Sequence, residues 1–194
     1  GMVYVALPIF KGNFIYKRMK VEVPKEYLSL IDFMKDRPKY ARIATLPAQT
    51  YNGWMITDWG YTGSGFLFYG IEQSSLDRAF DVWSTYNEGF YNQISTALYS
   101  CESGQSQISN SPILKLNCEE QFSKVLDKYD VRYVLLDESV IAPGQGREIL
   151  RIEETKKIAQ ELGWEQKFKE GFLSVWDTRI EAGQQYVTAP SSYA

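Results

Sequence analysis

The spacing of apolar residues predicts helices that alternate with strands along most of the chain. A helix is predicted over 24–35, because Pro24 suits a first helical turn and apolar residues recur after it at helical spacing. This apolar face comprises Tyr27, Leu30, Ile31 and Met34. The next apolar run, ARIATLP over 41–47, predicts a short buried strand that ends at Pro47.

The segment that follows is rich in glycine and aromatic residues. Residues 48–65 contain four glycines and no periodicity, so we expect a long loop, and loops of this length are usually functional or mobile. The run FLFYGI, over 66–71, predicts a strand. Ser74 or Ser75 is expected to cap a helix that Gly89 ends. A second helix is then predicted through Phe90, Ile94 and Leu98.

The second half of the chain continues the alternation. Asn117 is expected to cap a helix whose buried face comprises Phe122, Val125, Leu126 and Tyr129. The run VRYVLLD, over 131–137, is continuously apolar, which is typical of a strand covered on both faces. A further helix is predicted over 147–162. Residues 164–178 form two alternating runs joined at Glu170-Gly171, which predicts a β-hairpin.

These elements indicate one domain, over residues 1–194, with an α/β sandwich fold. Residues 41–47 and 131–137 are expected to be central strands of a short, mainly parallel sheet, with the C-terminal hairpin at one side. Residues 183–194 have no apolar pattern, and we expect them to be loosely held. Residues 1–12 are interpreted as a buried strand or as the trailing end of a membrane segment, because their apolar stretch is too short to span a bilayer.

Composition and charge exclude several function classes. The 194-residue chain has a net charge of -3, which argues against nucleic-acid partners because phosphate neutralisation needs a dense positive patch. The chain contains no histidine, which removes the Ser-His-Asp and Cys-His catalytic arrangements and histidine metal sites. The glycines of WGYTGSG match neither a P-loop nor the GxGxxG pattern. The sequence therefore predicts no catalytic residue, no metal and no cofactor.

Aromatic residues and carboxylates are concentrated in residues 51–99, which suits a surface that recognises sugars. Asp58 and Trp59 are the best candidate pair, since an indole stacks on a pyranose while a carboxylate accepts its hydroxyl hydrogens. The candidate ligand-binding residues are Trp54, Asp58, Trp59, Tyr61, Asp77 and Asp81. The alternative is that the tryptophans pack the loop onto the domain and that Asp77 and Asp81 belong to a solvated helix face.

The two cysteines, Cys101 and Cys118, flank a polar loop between two predicted helices. Their spacing matches no zinc pattern. If the chain lies outside the cytoplasm, a disulfide between them would stabilise the fold by about 3 kcal/mol. The alternative is a pair of unpaired, partly buried thiols.

Three segments of the chain resemble one family of membrane proteins. PIFKGNF followed by VPKEYLSLIDFMKDRPKYARIATLP resembles the pattern just after the membrane core of GT-C-type polytopic glycosyltransferases and their relatives. FSKVLDKYDVRYVLLDE is similar to their unit of a helix followed by a tyrosine-rich strand, and GFLSVWDT followed by QQYVTAP is similar to their closing hairpin. TDWGY, over 57–61, departs from the WWDYG element of oligosaccharyltransferases, so the role of that element is not carried over.

The resemblance implies a location and partners for this chain. It implies a domain on the extracytoplasmic face of the cell membrane, anchored by segments outside this chain, with the transmembrane portion of the same polypeptide as a partner. Donors in this family are polyprenyl-linked sugars, and the catalytic acid generally lies in the membrane portion, so we expect a non-catalytic role in glycan or acceptor recognition. The alternatives are a structural or protein-interaction domain without sugar binding, and a carboxylate-based enzyme similar to glycoside hydrolases.

Overall fold

A five-stranded β-sheet lies at the centre of the fold. The computed structural model describes residues 21–48, 55–63, 65–76, 84–103 and 118–180. Within these ranges the strands are β1 (Arg42–Leu46), β2 (Met55–Ile56), β3 (Thr62–Gly63), β4 (Ser75–Leu76), β5 (Val131–Asp137), β6 (Glu165–Glu170) and β7 (Leu173–Asp177). The α-helices are α1 (Lys25–Lys35), α2 (Thr85–Ser103), α3 (Cys118–Lys128) and α4 (Ile152–Glu161), and two 3-10 helices cover Leu67–Tyr69 and Arg147–Leu150.

The strands of the sheet follow the order β4-β1-β5-β7-β6. β4, β1 and β5 run parallel, with Ile43 opposite Ser75 and Thr45 opposite Leu135. β7 runs antiparallel to both β5 and β6, so the C-terminal hairpin forms one side of the sheet. The structure therefore confirms the predicted α/β fold, its two parallel central strands and its hairpin.

Helices cover both faces of the sheet, because the central strands are apolar on both. α1 packs on one face, where the buried core includes Tyr27, Leu30, Met34, Ile43, Leu135 and Val175. α2, α3 and α4 pack on the other face, where the buried core includes Ala44, Phe90, Ile94, Phe122, Leu126, Leu136 and Ile158. Burial of each large apolar side chain contributes about 1.5–3 kcal/mol, so these two layers are the main source of stability.

α1 confirms the helix predicted over 24–35. Its apolar face is buried as expected, and its last turn is closed by a side chain from a distant part of the chain. Gln73 Nε2 donates to the carbonyl of Met34 at 2.9 Å and to the carbonyl of Arg37 at 3.1 Å. The first bond adds to the one that the Arg37 N–H donates to the Met34 carbonyl at 3.0 Å, at the end of the helix where carbonyl groups lack intrahelical partners.

The structure corrects two predictions for the segment before α2. Residues 66–71 do not form a strand, because Leu67–Tyr69 is a 3-10 helix. The helix start predicted at Ser74 or Ser75 is also wrong, since Ser75–Leu76 forms β4 and pairs with β1, while residues 77–83 lie outside the described residues. Because β4 occupies the side of β1 that faces away from β5, residues 66–71 have no strand to pair with on that side. They turn back onto α1 instead, where Gly70 lies against Ile31.

α2 runs without interruption from Thr85 to Ser103, so the predicted end of a helix at Gly89 is wrong. The glycine lies where α2 approaches Tyr129, and a Cβ atom at this position would lie 2.9 Å from the Tyr129 hydroxyl oxygen. Gly89 therefore serves close packing between helices, and the chain does not reverse there.

The helix predicted over 147–162 is divided by a residue in the left-handed conformation. Arg151 has a φ of 51° and separates the second 3-10 helix from α4. In a continuous helix Leu150 and Ile152 would point about 200° apart around the axis. The turn at Arg151 brings both side chains into the same buried core.

Three predicted features lie outside the described residues: the cap at Asn117, the tail 183–194 and the N-terminal segment 1–12. Where the structure does describe the chain, none of the helices has the length and the apolar character that crossing a membrane requires.

Candidate functional site

A short hairpin of β2 and β3 lies within residues 48–65, which were predicted to be a loop. The hairpin is joined to the chain that leaves β5. Asp58 N–H donates to the carbonyl of Ser139 at 2.9 Å, and Ile141 N–H donates to the carbonyl of Ile56 at 2.8 Å. The hairpin therefore lies at the carboxyl end of the parallel strands, which is the usual ligand edge of an α/β sheet.

The hairpin tip, residues 57–61, is fixed by its own hydrogen bonds. Thr57 N–H donates to the carbonyl of Tyr61 at 2.9 Å, and Tyr61 N–H donates to the hydroxyl oxygen of Thr57 at 3.1 Å. Gly60 has a φ of 96°, which glycine adopts without steric strain. The hairpin tip therefore has a defined shape, and it presents the side chain of Asp58 to solvent.

A buried network of hydrogen bonds connects the hairpin tip to the core of the domain. Trp59 Nε1–H donates to Ser139 Oγ at 3.1 Å, and Ser139 Oγ–H donates to Asp137 Oδ1 at 2.7 Å. The backbone N–H of Ser139 donates to the same carboxylate oxygen at 2.9 Å, and the Tyr27 hydroxyl donates to Asp137 Oδ2. Asp137 is only 1% exposed and Ser139 is fully buried. The indole of Trp59 therefore links the hairpin tip to the buried core through hydrogen bonds.

Burial raises the pKa of the Asp137 carboxyl above its ordinary value of 3.8, because removing a charge from water is costly. Hydrogen bonds from Tyr27 and Ser139 oppose this shift, and the negative charge of Asp58 adds to it. Burial also raises the pKa of the Tyr27 hydroxyl, and the Asp137 charge adds to that shift. The Tyr27 hydroxyl therefore keeps its proton and remains a donor to Asp137.

Three aromatic rings surround the half-buried ring of Trp59. Tyr61 stacks on it with an interplanar angle of 20° and a centroid separation of 5.6 Å. Tyr27 and Phe66 meet it edge to face, with centroid separations of 5.6 and 6.2 Å. Such contacts contribute beyond simple area burial, so Trp59 packs the hairpin onto the domain.

The charges and rings of the site suit binding. The Asp58 carboxylate is exposed and can accept hydrogen bonds from ligand hydroxyls. The exposed parts of the partly buried rings of Trp59 and Tyr61 beside it can contact the C–H groups of a ligand. Both oxygens of Asp137 already accept hydrogen bonds in a buried position, so this carboxyl cannot reach a substrate proton.

Asp137 and Glu138 are adjacent at the end of β5 but have opposite environments. Glu138 accepts hydrogen bonds from Lys156 at 2.9 Å and from Lys169 at 2.8 Å, and its carbonyl accepts one from Arg147 at 2.7 Å. Partial burial opposes ionisation of Glu138, but the lysine ammonium groups outweigh it and lower the pKa of the carboxyl. The negative charge of Glu138 is therefore balanced by two lysine ammonium groups, whereas Asp137 is buried and bonded only to uncharged donors.

The structure brings three of the predicted ligand-binding residues together at the hairpin tip: Asp58, Trp59 and Tyr61. Trp54, Asp77 and Asp81 lie outside the described residues, and their part in a site stays a prediction.

The cysteines are described in part. Cys118, the first residue of α3, is disulfide-bonded. Cys101 lies in the last turn of α2, but its side chain is outside the described part of the structure. The pairing of Cys101 with Cys118 therefore stays a prediction.

Sequence reasoning missed two residues of the network, Tyr27 and Ser139. Tyr27 was assigned to the apolar face of α1, and its ring does lie there, but its hydroxyl serves Asp137. The available signal was the Asp137 carboxylate, which ends a mainly apolar strand and is followed two residues later by a serine.

A separate cavity of about 340 Å³ lies against α3. It is lined by Glu120, Ser123, Lys124, Asp127, Leu162 and Ile180, and no residue of the hairpin tip borders it. Among the residues that the structure describes, no group of three Asp, Glu or Cys side chains is placed to hold a metal ion.

The likeness of this chain to known proteins lies among solved structures. No protein-family model and no curated protein matches the sequence. Among solved structures, the chain is similar to the C-terminal globular domain of an oligosaccharyltransferase from Archaeoglobus fulgidus. The two are 13% identical with a TM-score of 0.38, and the match covers 80% of this chain and 98% of that one. A likeness at this level assigns no function to this chain.

Proposed function

We propose that this chain is a non-catalytic extracytoplasmic domain of a GT-C-type membrane glycosyltransferase-like protein, and that its hairpin tip contributes to glycan or acceptor recognition. The three segments that resemble this family support the location. In the fold, these segments contribute α1 and β1, α3 and β5, and the final strand β7. The resemblance therefore involves the core of the domain. In this proposal the domain works beside the transmembrane portion of the same polypeptide, and a polyprenyl-linked sugar is one source of the glycan.

The observation that carries recognition is the position of Asp58 on a fixed hairpin tip. Its carboxylate is exposed next to the partly buried rings of Trp59 and Tyr61, at the ligand edge of the sheet. Because the tip is held by the Ser139 contacts, little conformational entropy is lost when a ligand binds. A carboxylate beside rigid rings suits the hydroxyl groups and C–H faces of a neutral sugar.

Asp137 does not support the alternative of a carboxylate-based glycosidase. Such an enzyme needs two carboxyl groups that both face the glycosidic bond. Asp58 is exposed, but Asp137 is buried beneath Trp59 and bonded through both oxygens. The pair is suited to holding a tip in place and not to cleaving a bond.

A glycan array tests the proposal. We expect the isolated domain to bind a subset of neutral glycans and Asp58→Asn to lose that binding. Asp36→Asn is the matched control, because it removes an exposed carboxylate at the end of α1 with the same change in charge. Binding that survives Asp58→Asn, or that is lost equally in the control, would remove the role of the hairpin tip.

A second candidate function is assembly with a protein partner, and the surface formed by Phe68 and Tyr69 favours it. The two rings lie 4.1 Å apart, and Tyr69 is 84% exposed. Exposed rings of this kind are enriched at interfaces. If Phe68→Ser/Tyr69→Ser abolished co-purification with the transmembrane portion and no glycan bound the domain, assembly would replace recognition as the function.

A further inference from the structure

We infer that Asp137 is a positioning residue for the candidate site: acting through Ser139, it fixes the indole of Trp59 and the backbone of Asp58. This inference rests on the proposed function for its biological meaning, but not for its test. The geometry of the buried network carries it.

The direction of each hydrogen bond is set by the chemistry of the groups. An indole N–H can only donate, so Trp59 needs an acceptor, and Ser139 Oγ supplies it at 3.1 Å. A serine hydroxyl has one proton, and here that proton goes to Asp137 Oδ1 at 2.7 Å. The lone pairs of the hydroxyl are thereby left facing Trp59. The carboxylate of Asp137 therefore selects the hydroxyl orientation that accepts the indole.

Ser139 also holds the main chain of the hairpin tip. Its carbonyl accepts the N–H of Asp58 at 2.9 Å, while its own N–H donates to Asp137 Oδ1 at 2.9 Å. Asp137 thus holds Ser139 through both its backbone and its side chain. Ser139 in turn bonds to two consecutive residues of the tip, Asp58 and Trp59. The exposed carboxylate of Asp58 and the ring of Trp59 are oriented by the same buried group.

Stability alone does not account for a carboxylate at position 137. The strand residues before it, Leu135 and Leu136, are fully buried and apolar. Among the described residues, no Lys or Arg nitrogen forms a salt bridge with Asp137, which lies under the like charge of Asp58. A buried charge without a cation is costly compared with an apolar side chain, so the presence of Asp137 here points to a role at the site.

The test compares Asp137→Ala, which removes both acceptor oxygens, and Ser139→Ala with the control Asp177→Ala. Asp177 is also a buried strand carboxylate, but it pairs with Arg132 at 2.8 Å and belongs to β7. The first readout, which uses no ligand, is the solvent exchange rate of the Trp59 indole proton, measured by NMR. The second readout is the affinity for cellotriose, chitotriose and mannotriose.

We expect the indole exchange rate to rise about tenfold or more in Asp137→Ala and Ser139→Ala, as loss of a protecting hydrogen bond predicts, and to stay unchanged in Asp177→Ala. Ser139→Ala keeps the buried carboxylate and removes only the hydroxyl that links it to the indole, so it tests the link through Ser139 if Asp137→Ala fails to fold. An unchanged indole signal in Ser139→Ala, or an equal change in the control, would overturn the inference. A changed indole signal together with no binding of any trisaccharide by the unmodified domain would support positioning and reject the proposed recognition function.

Discussion

Gly89 lies in the interior of α2 directly against the hydroxyl group of Tyr129. A Cβ atom at position 89 would lie 2.9 Å from that oxygen, which is closer than such atoms approach in proteins. The tyrosine cannot easily move, because it is 4% exposed and its hydroxyl accepts a hydrogen bond from Gln93 at 2.7 Å. The glycine therefore permits the close contact between α2 and the end of α3.

We predict that Gly89→Ala destabilises the domain even though alanine is the better helix former. Alanine favours an α-helix by about 1 kcal/mol over glycine, but overpacking against Tyr129 costs about 1–3 kcal/mol. In a Tyr129→Phe background the contact is absent, so Gly89→Ala should be neutral or stabilising there. Urea denaturation of the four proteins measures the coupling, and equal effects of Gly89→Ala in both backgrounds would refute it.

The long elements of the fold were predictable because their patterns are local. The helical spacing of apolar residues before residue 35 predicts α1, and the apolar run over 131–137 predicts β5. The predicted helix end at Gly89 was wrong because this glycine serves a contact with the distant Tyr129. The break at Arg151 was missed because it depends on a left-handed turn. β4 was missed because two residues that pair with β1 carry no pattern of their own.

The candidate site was predictable only in its exposed part. Asp58, Trp59 and Tyr61 are neighbours in sequence, so their type and spacing suggested a ligand surface. Beneath them, Ser139 bonds to Asp137 from two residues away, but Tyr27 meets Asp137 only after α1 has packed on the sheet. Partners 110 residues apart leave no local signal in a single sequence.

The pKa of Asp137 predicts a pH dependence of stability. The folded-state pKa is raised above 3.8, so the folded state binds the proton more tightly than the unfolded state. The contribution of Asp137 to stability is therefore present below pH 3.8 and is lost as pH rises through the raised value. We expect the stability of the unmodified domain relative to Asp137→Asn to fall from pH 3 towards neutral pH, measured by urea denaturation. A difference that is flat or rises with pH would contradict this.

Glu138 predicts the opposite sign. Lys156 and Lys169 lower its pKa below 4.5, so its contribution is present above pH 4.5 and is lost as pH falls through the lowered value. We expect Glu138→Gln to cost about 1 kcal/mol near pH 7 and much less in acid. Glu165→Gln is the control, because Glu165 forms one exposed ion pair, with Lys167. Urea denaturation at pH 7 and in acid measures the stability lost in each variant. Equal losses in Glu138→Gln and Glu165→Gln at pH 7 would show that the two lysines give Glu138 no added contribution to stability.

We predict that the disulfide partner of Cys118 is Cys101, the other cysteine of the chain. Their bridge would close the polar loop between α2 and α3, and its reduction should lower stability by about 3 kcal/mol. Peptide mapping by mass spectrometry without reductant would identify the linked pair, with a reduced sample as the control. A free thiol at Cys101 would contradict the pairing.

Recognition of a glycan by the hairpin tip is tested most directly by NMR titration of the labelled domain with neutral trisaccharides. The backbone amides of residues 57–61 and the Trp59 indole proton should shift together and saturate, and Asp58→Asn should abolish those shifts. Shifts confined to other parts of the chain, or no shift with any sugar, would contradict the role proposed for the tip.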